Sequence, residues 1–153
     1  MSSMRIILFT QNGFNNLKKQ LETTISKRPE AVRQLTRGRE MGDLSENGLY
    51  KAAKQELNDI DRQIRHLKTL VKYGKPTVPI NNDYVQLGHQ VLVETLNGKR
   101  KFLIVGEYEA NSNENKISLK SPIGHNLMGR RIGDQIKITT PKGNIFYKIL
   151  AIN

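Results

Sequence analysis

The spacing of hydrophobic residues changes near Tyr73 and divides the chain into two parts. Before this point, apolar residues recur every three or four positions, which is the period of one face of an α-helix. Beyond it, they alternate with polar residues, which is the period of a β-strand. The pattern therefore predicts an α+β protein whose helices precede its strands.

The most regular pattern lies in the second helical segment. Its apolar residues keep the alternating three- and four-residue spacing of the a and d positions of a coiled coil: Tyr50, Ala53, Leu57, Ile60, Ile64, Leu67 and Val71. Polar residues occupy the other faces. This segment is therefore predicted to pack along its length against a second helix.

A less regular helical segment precedes it. Thr10 is a suitable N-cap, and apolar residues follow at helical spacing: Phe14, Leu17, Leu21 and Ile25. Because Pro29 lacks a backbone donor, we expect a kink or a brief break there. The helix is expected to resume through Ala31, Val32 and Leu35. Two such helices joined by a few residues predict an antiparallel hairpin, with an arm on the order of 40 Å long.

The segment "YGKPTVPINNDY" combines glycine, prolines and polar residues, which is typical of a linker. Strand patterns follow it. Asn97 and Gly98 separate "HQVLVETL" from "RKFLIVGEY" and supply the positive φ values that a tight hairpin turn requires. The runs "NKISL", "QIKITTP" and "IFYKILAI" predict further strands. Between them, "SPIGHNLMG" predicts a short helix with Ser121 as N-cap and Pro122 in its first turn.

These patterns together predict three segments. Residues 1–75 form an antiparallel coiled-coil hairpin domain, residues 76–83 form a linker, and residues 84–153 form an antiparallel β domain with one short helix.

The composition adds a strong positive charge to this picture. The 153 residues include 25 lysines and arginines against 14 acidic residues, a net charge of +11. Such a balance favours polyanionic partners, either nucleic acid or a protein that handles it. The absence of cysteine excludes disulfides and thiolate metal sites and suits a reducing cytoplasm. No apolar stretch approaches the roughly 20 residues that span a bilayer, so no membrane association is predicted.

An acidic pair stands between the two helical segments, in the run "REMGDLSEN". Asp43 and Glu46 are three residues apart and follow Gly42. One interpretation is a helix start, because Asp-x-x-Glu has the form of a capping box and Ser45 would also serve as the N-cap. The other interpretation is chemical. Two carboxylates that project together from an exposed turn bind one hard cation such as Mg²⁺, with water and a partner's ligands completing its shell.

Basic residues surround this acidic turn. The first helix carries Lys18, Lys19, Lys27, Arg28, Arg33, Arg37 and Arg39. Lys51 and Lys54 follow the turn on the second helix. A basic arm with an acidic end favours sequence-independent contacts to phosphates along the arm and chemistry at its end.

The run "REMGDLSENGLYKAAK", from Arg39 to Lys54, carries a family resemblance, together with "SPIG" at 121–124 and with "GD" and "TP" between Gly133 and Pro141. Over essentially its full length the chain resembles the bacterial Gre transcript cleavage factors. The resemblance implies that the C-terminal domain has the FKBP-like fold and docks on RNA polymerase, while the hairpin enters the secondary channel of the polymerase. It also implies an activator rather than an enzyme, which stimulates the polymerase's own cleavage of the RNA 3′ end in backtracked, arrested complexes so that elongation resumes.

The same resemblance implies roles for individual residues. Asp43 and Glu46 match acids that help the polymerase hold a second Mg²⁺, which the factor does not bind alone, and Ser45 matches a position near the reacting RNA. The basic positions associated with the nascent RNA 3′ segment are Arg37, Arg39 and Lys54. The expected state is a cytoplasmic monomer with weak DNA binding.

Two residues depart from the family pattern. Members usually carry alanine and then an acidic residue after "EN", whereas this chain has Gly48 and Leu49. Glycine early in a helix costs up to about 1 kcal/mol relative to alanine, and Leu49 places an apolar side chain near the turn. Both bear on the efficiency of cleavage. The stretch "IDRQIRHL" resembles the GreB branch and "GDLSENGLYKAAK" the GreA branch, so the resemblance assigns neither.

Two other functions fit parts of the sequence. An inhibitory regulator would occupy the secondary channel without promoting cleavage; Leu49 favours it, and the two retained acids argue against it. A nucleic-acid-binding protein would use the basic coiled coil directly and would bind duplex with a steep salt dependence in the absence of polymerase.

Overall fold

The structure is a computed structural model that describes residues 5–42 and 47–153. A first strand, β1 (Ile7–Thr10), leads into two long helices, α1 (Gln11–Glu40) and α2 (Gly48–Tyr73). The later elements are β2 (Gly74–Thr77), β3 (Gln90–Thr95), β4 (Gly98–Val105), β5 (Lys116–Ser118), α3 (Pro122–Leu127), β6 (Gln135–Thr140) and β7 (Gly143–Ile152). The predicted fold class, a helical hairpin followed by a mostly antiparallel β domain with one short helix, is confirmed.

Contacts between residues divide the chain into two compact units. The hairpin unit is residues 15–73, and the sheet unit is residues 1–14 together with 74–153. β1 therefore groups with the C-terminal strands, because it pairs in parallel with β2 over Ile7↔Gly74 to Thr10↔Thr77. The sequence predicts neither this pair nor a strand at the start of the linker, since both strands are only four residues long.

The two helices of the hairpin unit pack antiparallel. Arg28 of α1 pairs with Asp61 of α2, whereas Gly38, near the end of α1, lies against Tyr50 at the start of α2. The buried contacts between them are made by Ala31, Ile60 and Ile64, with Leu21 and Leu57 packed beside these. The predicted seam of α2 is confirmed, except that Leu70 rather than Val71 is its last buried residue.

α1 differs in two ways from its prediction. The helix runs unbroken through Pro29, so the predicted brief break is wrong. Its buried face is also displaced by one residue: Ile25 and Val32 are 44% and 37% exposed, whereas Thr24 and Ala31 are 3% exposed. The cause is the partner helix, because only positions that keep the three- and four-residue alternation face the seam of α2.

The sheet unit contains a five-stranded sheet in the order β5-β4-β3-β7-β6. Its pairs are antiparallel except β4 with β5. The core covers one face and is built from Val85, Val91, Val93, Phe102, Ile104, Leu127, Ile136, Ile138, Tyr147, Ile149 and Ile152. The predicted short helix is confirmed as α3, since the Ser121 hydroxyl accepts the Gly124 N–H and Pro122 begins the helix. At the predicted hairpin turn, Gly98 has a positive φ of 114° and Asn97 does not.

One carboxylate joins the start of α1 to the sheet unit. Glu109 accepts the backbone N–H of Thr10 at 3.0 Å and that of Gly106 at 2.8 Å, and the Thr10 hydroxyl also donates to it. Thr10 in turn accepts the Gly13 N–H at 3.0 Å, which confirms it as the N-cap of α1. Gly106 is required here, because a Cβ at this position would lie 2.0 Å from the Leu8 carbonyl oxygen.

Candidate functional site at the turn of the hairpin

The hairpin turn is described up to Gly42 and again from Asn47. The predicted acids Asp43 and Glu46, and Ser45 between them, lie outside the described residues. Their roles toward metal and RNA therefore stay predictions. Among the residues that the structure does describe, no group of three or more His, Asp or Glu side chains could hold a metal ion.

The Asn47 side chain forms hydrogen bonds with both helices beside the turn. Its side-chain oxygen accepts the Tyr50 N–H at 3.1 Å, the bond that an N-cap makes at the start of a helix. Its amide nitrogen donates to the Gly38 carbonyl at 2.6 Å, in the last turns of α1. One side chain thus satisfies an unpaired donor of α2 and a carbonyl near the end of α1.

This geometry corrects one prediction from the sequence. α2 begins at Gly48, so the residue in the N-cap position is Asn47 rather than Asp43 or Ser45. The sequence does contain a signal for this N-cap, because asparagine ranks among the preferred N-cap residues. The N-cap bond to Tyr50 is thus made without the acidic pair.

The helices approach each other closely just before the turn. A Cβ on Gly38 would lie 2.9 Å from the Tyr50 Cα and 3.2 Å from the Tyr50 nitrogen. The absence of a side chain at Gly38 is what permits this approach. Gly42 has φ +105°, a left-handed conformation that favours glycine, and it turns the chain out of α1.

The three predicted RNA-contacting residues are exposed on the hairpin unit. Arg37 and Arg39 lie in the last turn of α1, and Lys54 lies in the early part of α2. The Arg39 guanidinium carbon lies 6.0 Å from the centroid of the Tyr50 ring, at the outer limit of a cation–π contact. Tyr50, which the sequence pattern places in the seam, thus also lies beside one of the basic side chains.

Acidic side chains further along the arm are engaged by local partners. Hydrogen bonds from Gln34 and Arg33 lower the pKa of Glu30, so its carboxylate stays charged. The Arg28 hydrogen bond likewise lowers the pKa of Asp61. Arg37 and Lys54 form no ion pair within the described part of the chain. Basic charge therefore predominates on the exposed surface beside the turn.

The two residues that depart from the family pattern also lie beside the turn. Leu49 is 48% exposed, so its apolar side chain meets solvent, as the sequence led us to expect. Gly48 is the first residue of α2, and no atom lies within 4 Å of the position that a Cβ would occupy.

Comparison with known proteins covers both halves of the chain. The family model described as "Transcription elongation factor, N-terminal" matches residues 7–73, and the one described as "Transcription elongation factor, GreA/GreB, C-term" matches residues 80–153. Transcription elongation factor GreA of Thermosipho melanesiensis is 35% identical over 150 residues, with 96% of each chain covered. GreA of Caldanaerobacter subterraneus is 38% identical over 151 residues, covering 95% of this chain and 96% of the other.

Solved structures similar to the chain include GreA factor homolog 1 (Gfh1) of Thermus thermophilus. It is 31% identical and covers 97% of this chain and 99% of its own, with a TM-score of 0.46.

Proposed function

Because this chain belongs to the GreA/GreB family of transcription elongation factors, we propose that it binds RNA polymerase through the secondary channel and stimulates cleavage of the RNA 3′ end in backtracked complexes. The factor has no turnover alone. It lends side chains to the active site of the polymerase, and elongation resumes from the new 3′ end.

The observation that carries this proposal is the capping of α2 by Asn47. The Tyr50 N–H in the first turn of α2 is satisfied by that side chain, so this N-cap bond does not use Asp43 or Glu46. Two carboxylates that lie in sequence between the helices of a predominantly basic arm are then available for a role outside folding. An acidic pair that binds a cation jointly with a partner supplies one.

Carboxylate oxygens are the ligands that Mg²⁺ prefers, so the donor set of the turn fits this ion. When bound between the two proteins, Mg²⁺ supplies Lewis-acid chemistry and an activated water for phosphodiester cleavage. Asp43 and Glu46 would hold the ion together with the polymerase, and Ser45 would lie beside the RNA. Arg37, Arg39 and Lys54 would bind the phosphates of the RNA 3′ segment without reading its sequence.

The test is a transcript cleavage assay on purified backtracked elongation complexes with Mg²⁺. We expect Asp43→Ala and Glu46→Ala each to abolish stimulated cleavage, while the affinity for polymerase stays within about twofold because docking uses the sheet unit. Glu40→Ala is the matched control, since it removes an equal charge from the exposed end of α1 outside the turn. If the Asp43/Glu46 double variant cleaved as well as the unmodified protein, the proposal would be wrong.

A second candidate is an inhibitor that blocks the channel without promoting cleavage, and the exposed Leu49 favours it. Adding the protein to stalled and to initiating complexes separates the two functions. Rescue of stalled complexes supports cleavage, whereas repression of both kinds of complex supports blockade.

A further inference from the structure

The five-stranded sheet has a second face, opposite the core, on which none of the residues named in the proposed function lies. Residues on alternate positions of β3, β4, β6 and β7 face the core. Their neighbours in sequence therefore face the other way. The outward residues near the hairpin ends are Glu94, Lys99, Lys101, Lys137, Phe146 and Lys148, all of them exposed. We call this set the lysine face.

Strand register brings the members of the lysine face together. Glu94 of β3 pairs with Lys99 of β4 on one side and with Lys148 of β7 on the other. Phe146 of β7 pairs directly with Lys137 of β6. Paired residues in neighbouring strands lie about 5 Å apart, and residues two apart on one strand share a face. Phe146 is therefore a neighbour of Lys137 across the strand pair and of Lys148 along its own strand.

Positive charge exceeds negative charge on this face, which has four lysines and one carboxylate. None of its four lysines forms an ion pair within the described part of the chain, and Glu94 is its one carboxylate. Elsewhere in the sheet unit, by contrast, Lys116 pairs with Glu114 at 2.8 Å and Lys120 pairs with Glu107 at 3.1 Å. Phe146 is 46% exposed beside Lys137 and Lys148.

We propose that the lysine face binds single-stranded nucleic acid. Lysines bind the phosphate backbone without regard to sequence, and an exposed aromatic ring flanked by cations offers a surface on which an unpaired base stacks. An acidic protein surface would pair equally well with the lysines but would gain nothing specific from the ring. A duplex keeps its bases stacked on each other, so it would not use Phe146. This inference is independent of the cleavage function, because it concerns binding in the absence of polymerase.

The experiment measures fluorescence anisotropy of a labelled single-stranded oligouridylate with the full chain across a range of salt concentrations. We expect Lys137→Gln/Lys148→Gln to weaken binding about tenfold and to reduce the salt slope by about 1.4, since each phosphate contact to a single strand contributes about 0.7. Arg130→Gln/Arg131→Gln is the matched control, because it removes two exposed positive charges from the same unit outside the lysine face. Its salt slope should not change.

Phe146→Leu isolates stacking, because it keeps an apolar side chain and removes the ring. It should weaken binding fivefold or more without changing the salt slope, as expected for the loss of one stacked base. Circular dichroism melting checks that each variant is folded. If the double lysine variant does not fold, Phe146→Leu still tests the proposal, because it leaves the lysines unchanged.

Three results would overturn the proposal. Equal losses in the lysine and arginine double variants would show that only net charge matters. Duplex bound as tightly as single strand would remove the role of the ring. Unchanged RNA binding with reduced polymerase binding in Lys137→Gln/Lys148→Gln would assign the face to an acidic protein surface instead.

Discussion

At the scale of single residues, Asn47 shows how one side chain sets the geometry of the hairpin turn. It accepts a backbone N–H of α2 and donates to a carbonyl of α1, so both helix ends beside the turn depend on it. The acids that the proposed function requires follow Gly42 and precede this residue.

We expect Asn47→Ala to lower the free energy of unfolding of the hairpin by about 1–2 kcal/mol, because it removes the N-cap bond to Tyr50 and the bond to the Gly38 carbonyl. Stimulated cleavage should fall while polymerase affinity is retained. Asn58→Ala, at an exposed position of α2, is the control and should be neutral or slightly stabilising, since alanine is the better helix former. Thermal unfolding followed by circular dichroism, with the cleavage assay, measures both effects. A stability equal to that of the control would contradict this role.

The protonation state of His89 is set by the groups around its ring. Its side chain is 1% exposed, Nδ1 accepts the Gln86 N–H at 2.9 Å, and Nε2 lies 2.9 Å from the Asn82 side-chain oxygen. Nε2 therefore carries the proton and donates to Asn82, so the ring is neutral. A second proton on Nδ1 would face another donor, and burial lowers the pKa of His89.

The pH dependence follows from this lowered pKa. Below the unfolded-state value of about 6.5, the unfolded chain binds a proton at His89 that the folded chain does not. Stability is therefore complete above that pH and is lost as the pH falls, by up to about 1.4 kcal/mol per pH unit. His89→Gln should flatten this part of the curve relative to the unmodified protein. Urea unfolding between pH 5 and 7 measures it, and an equal slope in the variant and the unmodified protein would contradict the assignment.

At the scale of elements, the seam of the hairpin determines which residues of α1 are buried. Thr24 and Ala31 take the inner positions, and Arg28, at the same spacing, reaches Asp61 across the seam at 2.7 Å. The exposed Ile25 and Val32 lie one residue beyond these positions. The periodicity of α2 could be predicted from its sequence alone, because every seam position is apolar. That of α1 could not, because a threonine and an arginine occupy two of its seam positions.

The two glycines beside the turn are expected to respond oppositely to alanine. Gly38→Ala places a Cβ 2.9 Å from the Tyr50 backbone, so the helices must separate, and we expect a loss of about 1–3 kcal/mol. Gly48→Ala meets no atom within 4 Å and should gain up to about 1 kcal/mol. Each variant is the control for the other, since both add one methyl group. Thermal unfolding measures the sign, and a gain in Gly38→Ala would show that the close approach is not required.

Gly48→Ala also tests the effect of the glycine at position 48, where members of the family usually carry alanine. If the glycine at the start of α2 limits the ordering of the turn, Gly48→Ala should raise stimulated cleavage along with stability. A more stable variant without increased cleavage would show that this glycine does not limit activity.

At the scale of the whole molecule, the chain forms two compact units, and one of them combines the two ends of the sequence. The first strand joins the C-terminal sheet unit through β2, and Glu109 holds the start of α1 to the same unit. A strand of four residues is too short to show a recognisable alternation of apolar and polar residues. The pairing of two such strands nearly seventy positions apart leaves no local pattern in the sequence at all. None of the described helices is long and apolar enough to cross a membrane.

The sequence by itself determined the helical hairpin, the β domain with its capped short helix, the family and the identity of the acids at the turn. These depend on local spacing, on capping chemistry and on a contiguous motif, which a linear pattern contains. Only the tertiary structure decided that Asn47 caps α2, that Thr24 rather than Ile25 is buried, and that four lysines and Phe146 share one sheet face. Each of these depends on which residues of distant segments lie opposite one another, and that register is fixed by packing rather than by local preference.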